Sequence, residues 1–437
     1  MKKYGSIKAL IIFLIIAVLS AGVMGCSNKK FSKEAEKQQK FAGSEIQVLL
    51  PPWYAFSDEM LAEFEKETGI KVKLETLDWE PLQDKIVTSC AAKTAPADVT
   101  EFSWDWVGKF GEAGWYEPLN KYFDEDFMSD ISTRDIFKYK DDYLAIPIYN
   151  DFRLTYINKQ RFEQAGIRNI PATPEELMEA AKQIKAKGID QYPFIVPFSA
   201  TSATTTPWFL LTKSFGGELF DQNWEPLFES KDSAGYKAMD YLVKGLFVNK
   251  VIDPASIGYK GTDVVENYKQ GIGTIDLAGW AGNVQDYKNP EKSKVANEVE
   301  VIKVPGINGK SRTYGLQEAV GIPAASKNKE AAAEFIRWLN TPQNVKRLFL
   351  ELGIFPNHKS TISELVKEDK LPGGETVLEV MPTIEPLFPQ GAPEWYSAFE
   401  TDVATTMNQI AKKTMSTDEG IKHIADNARK LAKESKK

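Results

Sequence analysis

The stretch SDEMLAEFEKETGIKVKLETL, residues 57–77, predicts a helix followed at once by a strand. Ser57 is a favoured helix-capping residue, Gly69 is a favoured helix terminator, and apolar side chains recur between them at helical spacing. Residues 70–77 then alternate apolar and polar side chains, which is typical of a strand with one face against a core. Helix and strand are therefore expected to meet at a glycine.

The segments around this stretch repeat the alternation of strand and helix. Residues 45–50 and 98–102 have the pattern of strands, and residues 82–93 have helical periodicity. The resulting order of strand, helix, strand, helix, strand predicts a parallel sheet covered by helices, and hence an α/β fold. In a later helix, Thr173 is the predicted cap and Glu176 completes a capping box. The remaining predicted strands span 143–150, 152–158, 192–198, 273–280, 298–304 and 319–326, and the remaining predicted helices span 173–188, 329–340, 394–412 and 416–434.

The first 25 residues have the composition of an export signal rather than of a folded element. Three lysines come before or at the start of an apolar run of small and branched residues, and Cys26 follows that run. A membrane-anchor helix is the alternative, although the run is short for about 30 Å of hydrocarbon. The sequence VMGC at 23–26 resembles a bacterial lipobox, so we expect residues 1–25 to be a signal peptide. We expect Cys26 to carry a lipid on the outer face of the cytoplasmic membrane, and the polar, lysine-rich residues 26–44 to form a flexible tether.

Composition and charge argue against several classes of protein. The chain has 437 residues, which predicts two lobes rather than one core, and it carries 54 basic and 61 acidic side chains. Residues 1–25 contain three of those lysines and no acid, so the mature chain has 51 basic and 61 acidic side chains and a net charge of −10. This balance argues against nucleic acid as a partner. Cys26 and Cys90 are the only cysteines and there are two histidines, too few for a zinc or copper cluster, so we expect no metal and no cofactor.

Five segments of the chain, in this order, are similar to one known family. They are FEKETGIKVKLETLDW (64–79), PADVTEFSWDWVGKFGEAGWYEPL (96–119), AIPIYNDFRLTYINKQRFEQAGIRNIPATPEELMEAAKQI (145–184), IDLAGWAGNVQDY (275–287) and GIPAASKNKEAAAEFIRWLNTPQN (321–344). Together they resemble the extracellular solute-binding proteins of ABC importers, in the carbohydrate-binding group that includes maltose-binding protein. No single segment is specific, but the ordered set is, and the resemblance covers almost all of residues 45–435.

The resemblance implies a two-lobed, periplasmic-binding-protein-like fold of class II type, in which each lobe is a mainly parallel sheet flanked by helices. It implies a first lobe of approximately residues 45–148 and 322–370 and a second of approximately 149–321 and 371–437, with a ligand cleft between the lobes. It also implies a monomer that binds a carbohydrate, in our expectation an oligosaccharide, without catalysis and without a cofactor. Closure of the lobes would then deliver this ligand to the transmembrane subunits of an ABC permease.

The tripeptide Trp104-Asp105-Trp106, directly after a predicted strand, has the residue types that a sugar site requires. Sugar rings offer apolar C–H faces for aromatic stacking, and their hydroxyls donate to ionised acceptors in hydrogen bonds that contribute roughly 1.5–3 kcal/mol each. Open α/β sheets place their ligands beyond the carboxyl ends of the strands. The alternative is that the tryptophans are core residues and Asp105 caps the next helix. The resemblance aligns Asp105 with a ligand-binding aspartate and Phe102 with a tryptophan, so Trp104 or Trp106 would take the aromatic role.

Other candidate ligand contacts combine aromatic and polar side chains, mostly near predicted strand ends. The resemblance aligns Asp151 with a ligand-binding glutamate and Trp280 with a tryptophan that stacks on sugar. It aligns Trp395 and Tyr396 with an aromatic pair near the C-terminus of the family. For these candidates the alternatives are a core position, a turn or the buried face of a helix. The full set besides residues 104–106 is Trp53, Tyr54, Asp78, Asn150, Asp151, Trp208, Trp280, Gln317, Glu318, Trp395 and Tyr396.

Two other classes of protein stay open from the residues alone. An anchored glycoside hydrolase would use Asp105 and Asp151 as an acid and base pair, which requires a separation of about 5–10 Å. A binder of a non-sugar solute would take a peptide, a polyamine or an organic acid. An anionic ligand requires arginine, and Arg153 is the only arginine close to a proposed cluster, so we rank an acidic ligand lower. Carboxylates and aromatic faces would also suit a polycation.

Overall fold

A computed structural model describes residues 40–435 and gives a mixed α/β protein. The predicted signal peptide, the lipidation site Cys26 and most of the predicted tether lie outside the described residues. Within residues 40–435, no helix has both the length and the apolar composition needed to cross a membrane.

Strands and helices alternate along most of the described chain. The strands are β1 (Ser44–Leu50), β2 (Ile70–Thr76), β3 (Val99–Ser103), β4 (Lys138–Tyr139), β5 (Asp142–Tyr143), β6 (Ala145–Tyr149), β7 (Arg153–Asn158), β8 (Phe194–Ile195), β9 (Ile275–Trp280), β10 (Val299–Ile302), β11 (Thr313–Gly315), β12 (Glu318–Gly321) and β13 (Ile384–Pro386). The helices are α1 (Asp58–Thr68), α2 (Trp79–Ala91), α3 (Val107–Glu112), α4 (Glu125–Met128), α5 (Lys159–Gln164), α6 (Pro174–Ala186), α7 (Thr205–Ser214), α8 (Ala234–Phe247), α9 (Gly261–Lys269), α10 (Asn283–Tyr287), α11 (Lys329–Leu339), α12 (Pro342–Leu352), α13 (Lys359–Lys367), α14 (Gly374–Val380), α15 (Tyr396–Ala411) and α16 (Thr417–Glu434).

The chain divides into two compact units. Among the described residues, the first contains those up to Thr100 together with Ala325–Trp338, and the second contains Glu101–Ala324 and those from Leu339 onward. The lobe boundaries implied by the family resemblance stay a prediction.

In the first unit, β1 lies between β2 and β3 and runs parallel to both. Ser44–Leu50 pairs along its whole length with Ile70–Thr76, and on the other side Val48 pairs with Val99. The predicted parallel arrangement of these three strands is therefore confirmed.

Helix α1 begins and ends as the sequence predicts. Ser57 Oγ accepts a hydrogen bond from the amide of Met60 at 3.2 Å. Gly69 has a φ of 78°, a left-handed conformation that glycine adopts without steric penalty, and its amide donates to the Glu65 carbonyl. Because β2 starts at Ile70, the end of the helix sets the position of the strand.

Asp98 is a buried acceptor that joins three segments of the first unit. Its carboxylate accepts hydrogen bonds from the amide of Gln47 at 2.9 Å, from Ser326 Oγ at 2.7 Å and from Asn328 Nδ2 at 3.2 Å. These donors lie on β1 and on the loop before α11, so one side chain fixes both against the start of β3.

The second unit contains a four-stranded sheet in the order β10-β7-β9-β8. β8 and β9 run parallel, and β7 runs antiparallel to both β9 and β10, so three of the four strands share one direction. All six residues of β7 are buried, as expected of a central strand with both faces covered. In the same unit, β6 pairs antiparallel with β12, and β11 pairs parallel with β13.

Two details differ from the predicted elements. The strand predicted at 192–198 is only Phe194–Ile195, because the flanking prolines lack the amide hydrogen that a sheet ladder requires.

At the start of α6, Thr173 Oγ1 accepts a hydrogen bond from the amide of Glu176 at 3.2 Å, as predicted. The Glu176 carboxylate, however, accepts from the amide of Ala172 at 2.8 Å rather than from that of the cap residue. The Glu176 side chain therefore binds the backbone of Ala172, the residue before the cap, and does not close the predicted capping box.

Replacing Asp98 with alanine should lower the free energy of unfolding by about 2–4 kcal/mol, because three donors would lose a shared buried acceptor. Urea unfolding followed by circular dichroism measures this loss. Asp84→Ala is the matched control, since Asp84 is exposed on α2 of the same unit and should change stability by less than about 0.5 kcal/mol. Equal stability losses in the two variants would contradict the role given to Asp98.

Candidate functional site

Three predicted ligand-binding residues lie in the first unit. Trp53 is partly exposed and stacks on Trp79 with 5.9 Å between ring centroids and an interplanar angle of 22°. Asp78 is exposed directly before α2, and its side chain does not cap that helix. Tyr54 is fully buried beside Phe56. The structure therefore corrects the prediction for Tyr54, which belongs to the core because its ring has no surface left for a ligand.

The tripeptide 104–106 forms a short 3₁₀ turn after β3, and its two tryptophans have different surroundings. Trp106 is 2% exposed and packs against Phe102 and Phe110 at centroid distances of 6.2 and 5.1 Å. Trp106 is therefore a core residue, which corrects its prediction as a ligand contact. Trp104 lies 5.1 Å from the ring of Tyr396 and retains a small exposed surface.

Asp105 is buried between two serine hydroxyls. Ser103 Oγ donates to Asp105 Oδ1, and Ser397 Oγ donates to Asp105 Oδ2 at 3.2 Å. Burial raises the pKa of the Asp105 carboxyl to about 6, because few other groups replace the water that it loses. At neutral pH it is still an ionised acceptor.

The aromatic pair at the start of α15 packs into a larger group of rings. Trp395 lies 5.4 Å from Trp224 and 5.6 Å from Phe220, with both pairs in edge-to-face geometry. Tyr396 donates its hydroxyl to Glu400 Oε1 at 2.8 Å. Both rings are buried. In this structure they belong to the packed group of rings beside Trp104, and neither presents a free aromatic face to a ligand.

Asp151 and Arg153 form a buried ion pair at the start of β7. The guanidinium donates to both carboxylate oxygens, at 3.1 and 2.9 Å, and the two side chains are only 5% and 3% exposed. Burial raises the pKa of the Asp151 carboxyl to about 6 although the guanidinium opposes the shift. Burial acts to lower the pKa of Arg153, but the pKa rises on balance because Asp151 stabilises the guanidinium charge. Both groups are therefore charged at neutral pH.

The guanidinium of Arg153 also faces two aromatic rings. Its central carbon lies 5.7 Å from the ring centroid of Trp280 and 5.9 Å from that of Tyr314. Arg153 and Trp280 are paired residues on adjacent strands, so their contact is set by the register of β7 and β9. This geometry is that of a cation–π contact, and it holds the partly exposed indole of Trp280 beside the ion pair.

Residues 313–317 connect the ion pair with the tripeptide 104–106. The Leu316 amide donates to the Asp151 carbonyl at 2.8 Å, and the Trp104 amide donates to the Gln317 carbonyl at 3.3 Å. Gln317 and the predicted contact Asn150 are buried, and Glu318 is half-buried. Hydrogen bonds and ring contacts thus connect most of the predicted ligand-binding residues of the second unit with one another.

An open recess adjoins Trp280 in the same unit. Ala278 and Trp280 lie on the same face of β9, but the pairing of β9 with β7 is irregular between Leu154 and Tyr156. The Asp276 carboxylate therefore lies on the face of Gly279, where a Cβ would be 2.4 Å from its Oδ2. Small Ala278 leaves a hollow beside the indole of Trp280. Its remaining wall includes polar Thr206 and Asn283 and the apolar side chains of Ile195, Val196, Pro197 and Val264.

Our sequence analysis did not predict Asp276, Thr206 or Asn283. The alternation in IDLAGW (275–280) would place the aspartate on the face of the tryptophan, but the irregular pairing with β7 turns the Asp276 side chain to the other face, which the sequence does not signal. Thr206 and Asn283 come from helix starts distant in sequence, so their approach depends on tertiary packing.

Trp208 is enclosed in the core of the second unit. Its exposed fraction is 0%, its indole nitrogen donates to the Gly235 carbonyl at 2.8 Å, and its ring packs edge-on against Phe228 at 5.2 Å. The predicted ligand contact of Trp208 is therefore corrected, because both its ring and its polar atom are occupied.

Comparison with known proteins agrees with this fold. The sequence model of the bacterial extracellular solute-binding proteins matches residues 49–346. A probable amino-acid ABC transporter periplasmic-binding protein of Sinorhizobium fredii is 26% identical over 76% of this chain and 78% of its own length. A mannitol-binding protein of Pseudomonas aeruginosa is 25% identical over 76% of this chain and 77% of its own.

Maltose-bound MalE3 of T. maritima has a similar fold, with a TM-score of 0.81 at 20% identity over 89% of this chain and all of that one. Because the family model covers more than half of the sequence, the chain belongs to the bacterial extracellular solute-binding proteins. This is a family of exported binding proteins and not of enzymes.

The raised pKa of Asp105 gives a testable dependence of stability on pH. The folded protein keeps the proton up to about pH 6 whereas an unfolded aspartate loses it near 4, so stability should fall as pH rises between these values. Asp105→Asn, which stays neutral, should therefore gain stability relative to wild type by up to about 3 kcal/mol between pH 4 and pH 7. Urea unfolding of wild type and Asp105→Asn at several pH values measures this difference in the free energy of unfolding.

The control is Asp232→Asn, which changes an exposed carboxylate of the same unit. Its stability should follow that of wild type across the pH range. Parallel stability curves for wild type and Asp105→Asn would contradict the buried, ionised state of Asp105.

Proposed function

We propose that this protein binds a neutral sugar or sugar alcohol outside the cell and presents it to the permease of an ABC importer. The observation that carries the proposal is the partly exposed indole of Trp280, held by Arg153 at the edge of a recess that also contains the amide of Asn283 and the hydroxyl of Thr206.

The surface of the recess matches the chemistry of a polyhydroxylated ligand. A flat ring buries the C–H face of a sugar at about 25 cal/mol per Å² of apolar area. The Asn283 amide and the Thr206 hydroxyl can donate hydrogen bonds to the hydroxyls of such a ligand and accept hydrogen bonds from them. An apolar pocket with a few placed polar groups is the usual form of a small-molecule site.

The names of the relatives divide between solutes, and the ion pair supports a neutral solute. One relative is named for mannitol, one solved structure contains maltose, and another relative is named for amino acids. An amino acid presents a carboxylate that requires an available cation. Since Arg153 is already bound bidentately by Asp151, a neutral ligand is favoured. Amino acids are therefore the second candidate.

Replacing Trp280 with alanine should weaken sugar binding by roughly 1–3 kcal/mol, the usual cost of removing an aromatic anchor. A thermal-shift screen with D-mannitol, ribitol, maltose, maltotriose and glycine selects the solute, because a ligand at 100 times its dissociation constant adds about 2.7 kcal/mol of stability. Isothermal titration calorimetry of the selected solute then compares the variants.

Trp224→Ala is the matched control, since this tryptophan packs among the rings around Trp395, away from the lining of the recess. It should change affinity much less than Trp280→Ala. Selective binding of glycine, or hydrolysis of labelled maltotriose by the protein, would replace the proposal by amino-acid binding or by glycoside hydrolysis.

We also propose that Cys26 carries a lipid that keeps the binder near its permease. The support is the basic, apolar and Gly-Cys order of residues 1–26. Cys26→Ser should abolish incorporation of radiolabelled palmitate in bacteria that express the chain and should leave the protein in the medium or as a precursor. Cys90→Ser is the control and should still be labelled. Labelling of Cys26→Ser equal to wild type would refute the anchor.

A further inference from the structure

We propose that a β-bulge in β9 sets the orientation of Trp280, and that Thr155 and Asp276 are the positioning residues that hold this bulge. The inference goes beyond the proposed function, because it concerns the direction of one side chain in the protein without a solute. It starts from the register of two neighbouring strands of the second unit, β7 and β9.

The pairing of β9 with β7 contains one extra residue on β9. The pairs on either side of the irregularity are Leu154 with Gly279 and Tyr156 with Asp276. Between these pairs β7 has one residue, Thr155, whereas β9 has two, Leu277 and Ala278. Two residues opposite one is the pattern of a β-bulge, a feature that bends a strand and re-aims its side chains.

The bulge puts Trp280 and Asp276 on opposite faces of the sheet. In a regular strand these two residues, four positions apart, would point to the same face. With the extra residue, the Asp276 carboxylate lies on the face of Gly279, where a Cβ would collide with its Oδ2. Trp280 pairs with Arg153, and its ring lies beside that guanidinium and next to Ala278 in the wall of the recess. The position of the indole therefore depends on the extra residue.

Thr155 supplies a hydrogen bond to the bulge from the opposite strand. Its side chain is fully buried, and its Oγ1 donates to the Leu277 carbonyl at 3.0 Å. A bulge interrupts the regular ladder of backbone hydrogen bonds, and a buried carbonyl that loses its donor destabilises the fold. The hydroxyl of Thr155 thus stabilises the bulge at the one residue that faces it.

Asp276 connects the bulge with helix α10. Its Oδ2 accepts a hydrogen bond at 2.7 Å from the hydroxyl of Tyr287, a fully buried residue of that helix. Burial raises the pKa of the Asp276 carboxyl to about 6, and hydrogen bonds from Tyr287 and from the Ala278 amide act against this rise. Because Ala278 is one of the two bulged residues, the carboxylate joins the bulge to α10.

The backbone and the ring of Trp280 are also held in place. The buried Tyr156 hydroxyl donates to the Trp280 carbonyl at 2.6 Å. A Cβ at Gly261, the first residue of α9, would lie 3.1 Å from the indole, so the ring fits closely against the start of that helix. The indole is therefore preorganised before a solute arrives, which lowers the entropy lost on binding.

Fluorine-19 NMR of the solute-free protein, labelled with 5-fluorotryptophan, tests the inference. Trp280→Phe identifies the resonance of Trp280 by its loss. Thr155→Val keeps the shape of the side chain and removes the hydroxyl, so it should split the Trp280 resonance or shift it by more than its linewidth. Thr155→Ser keeps the hydroxyl and should restore the resonance of wild type.

Thr212→Val is the matched control. Thr212 is also a buried threonine of the second unit, and its Oγ1 donates to the Trp208 carbonyl at 2.8 Å. The control variant should lose stability, as Thr155→Val does, but it should leave the Trp280 resonance where it is in wild type. This difference separates a positioning role of Thr155 from a general effect of losing a buried hydroxyl.

A second variant covers the case in which Thr155→Val does not fold. Tyr287→Phe removes the hydroxyl that donates to Asp276, and it should also shift or split the Trp280 resonance. An unmoved Trp280 resonance in either folded variant would overturn the inference and leave the proposed function standing, as would an equal shift in Thr212→Val.

Discussion

The buried ion pair between Asp151 and Arg153 is the interaction on which the second unit's candidate site depends. Removing one partner of such a pair leaves an uncompensated buried charge, which typically costs about 3–5 kcal/mol. In this protein the ion pair also positions neighbouring groups. Arg153 positions the ring of Trp280, and its backbone carbonyl accepts a hydrogen bond from Thr313 Oγ1 at 2.8 Å. The Asp151 carbonyl in turn accepts from Leu316, so β11 and the loop after it are fixed by the same two residues.

Under the proposed function, this arrangement would let a solute-binding protein keep an arginine at its site and still bind a neutral ligand. An arginine near a cleft ordinarily suggests an anion, because its planar guanidinium recognises carboxylates bidentately. In this chain the bidentate partner is already present two residues away. The guanidinium therefore contacts the Trp280 ring, and under the proposed function the neutral donors and acceptors of the recess would set specificity.

Much of the fold follows from local sequence patterns, because its helices have clear caps and its strands have clear periodicity. The helix and strand of residues 57–77 were predictable since Ser57, Gly69 and the alternation of β2 act over a few residues. The candidate site was less predictable. Aromatic residues next to strand ends look alike in sequence, and only tertiary packing separates core rings such as Tyr54 and Trp208 from the partly exposed Trp280. The recess depends on helix starts far apart in the chain, which no local pattern could bring together.

A crystal structure of the protein with its tightest-binding neutral sugar or sugar alcohol tests the central claim most directly. The account predicts a ring or carbon chain lying within about 4 Å of the Trp280 indole. It also predicts a ligand hydroxyl within hydrogen-bond distance of Thr206 or Asn283, with the bidentate contact between Asp151 and Arg153 intact. A ligand bound away from Trp280, or one that separates Arg153 from Asp151 to bind the guanidinium itself, would contradict it.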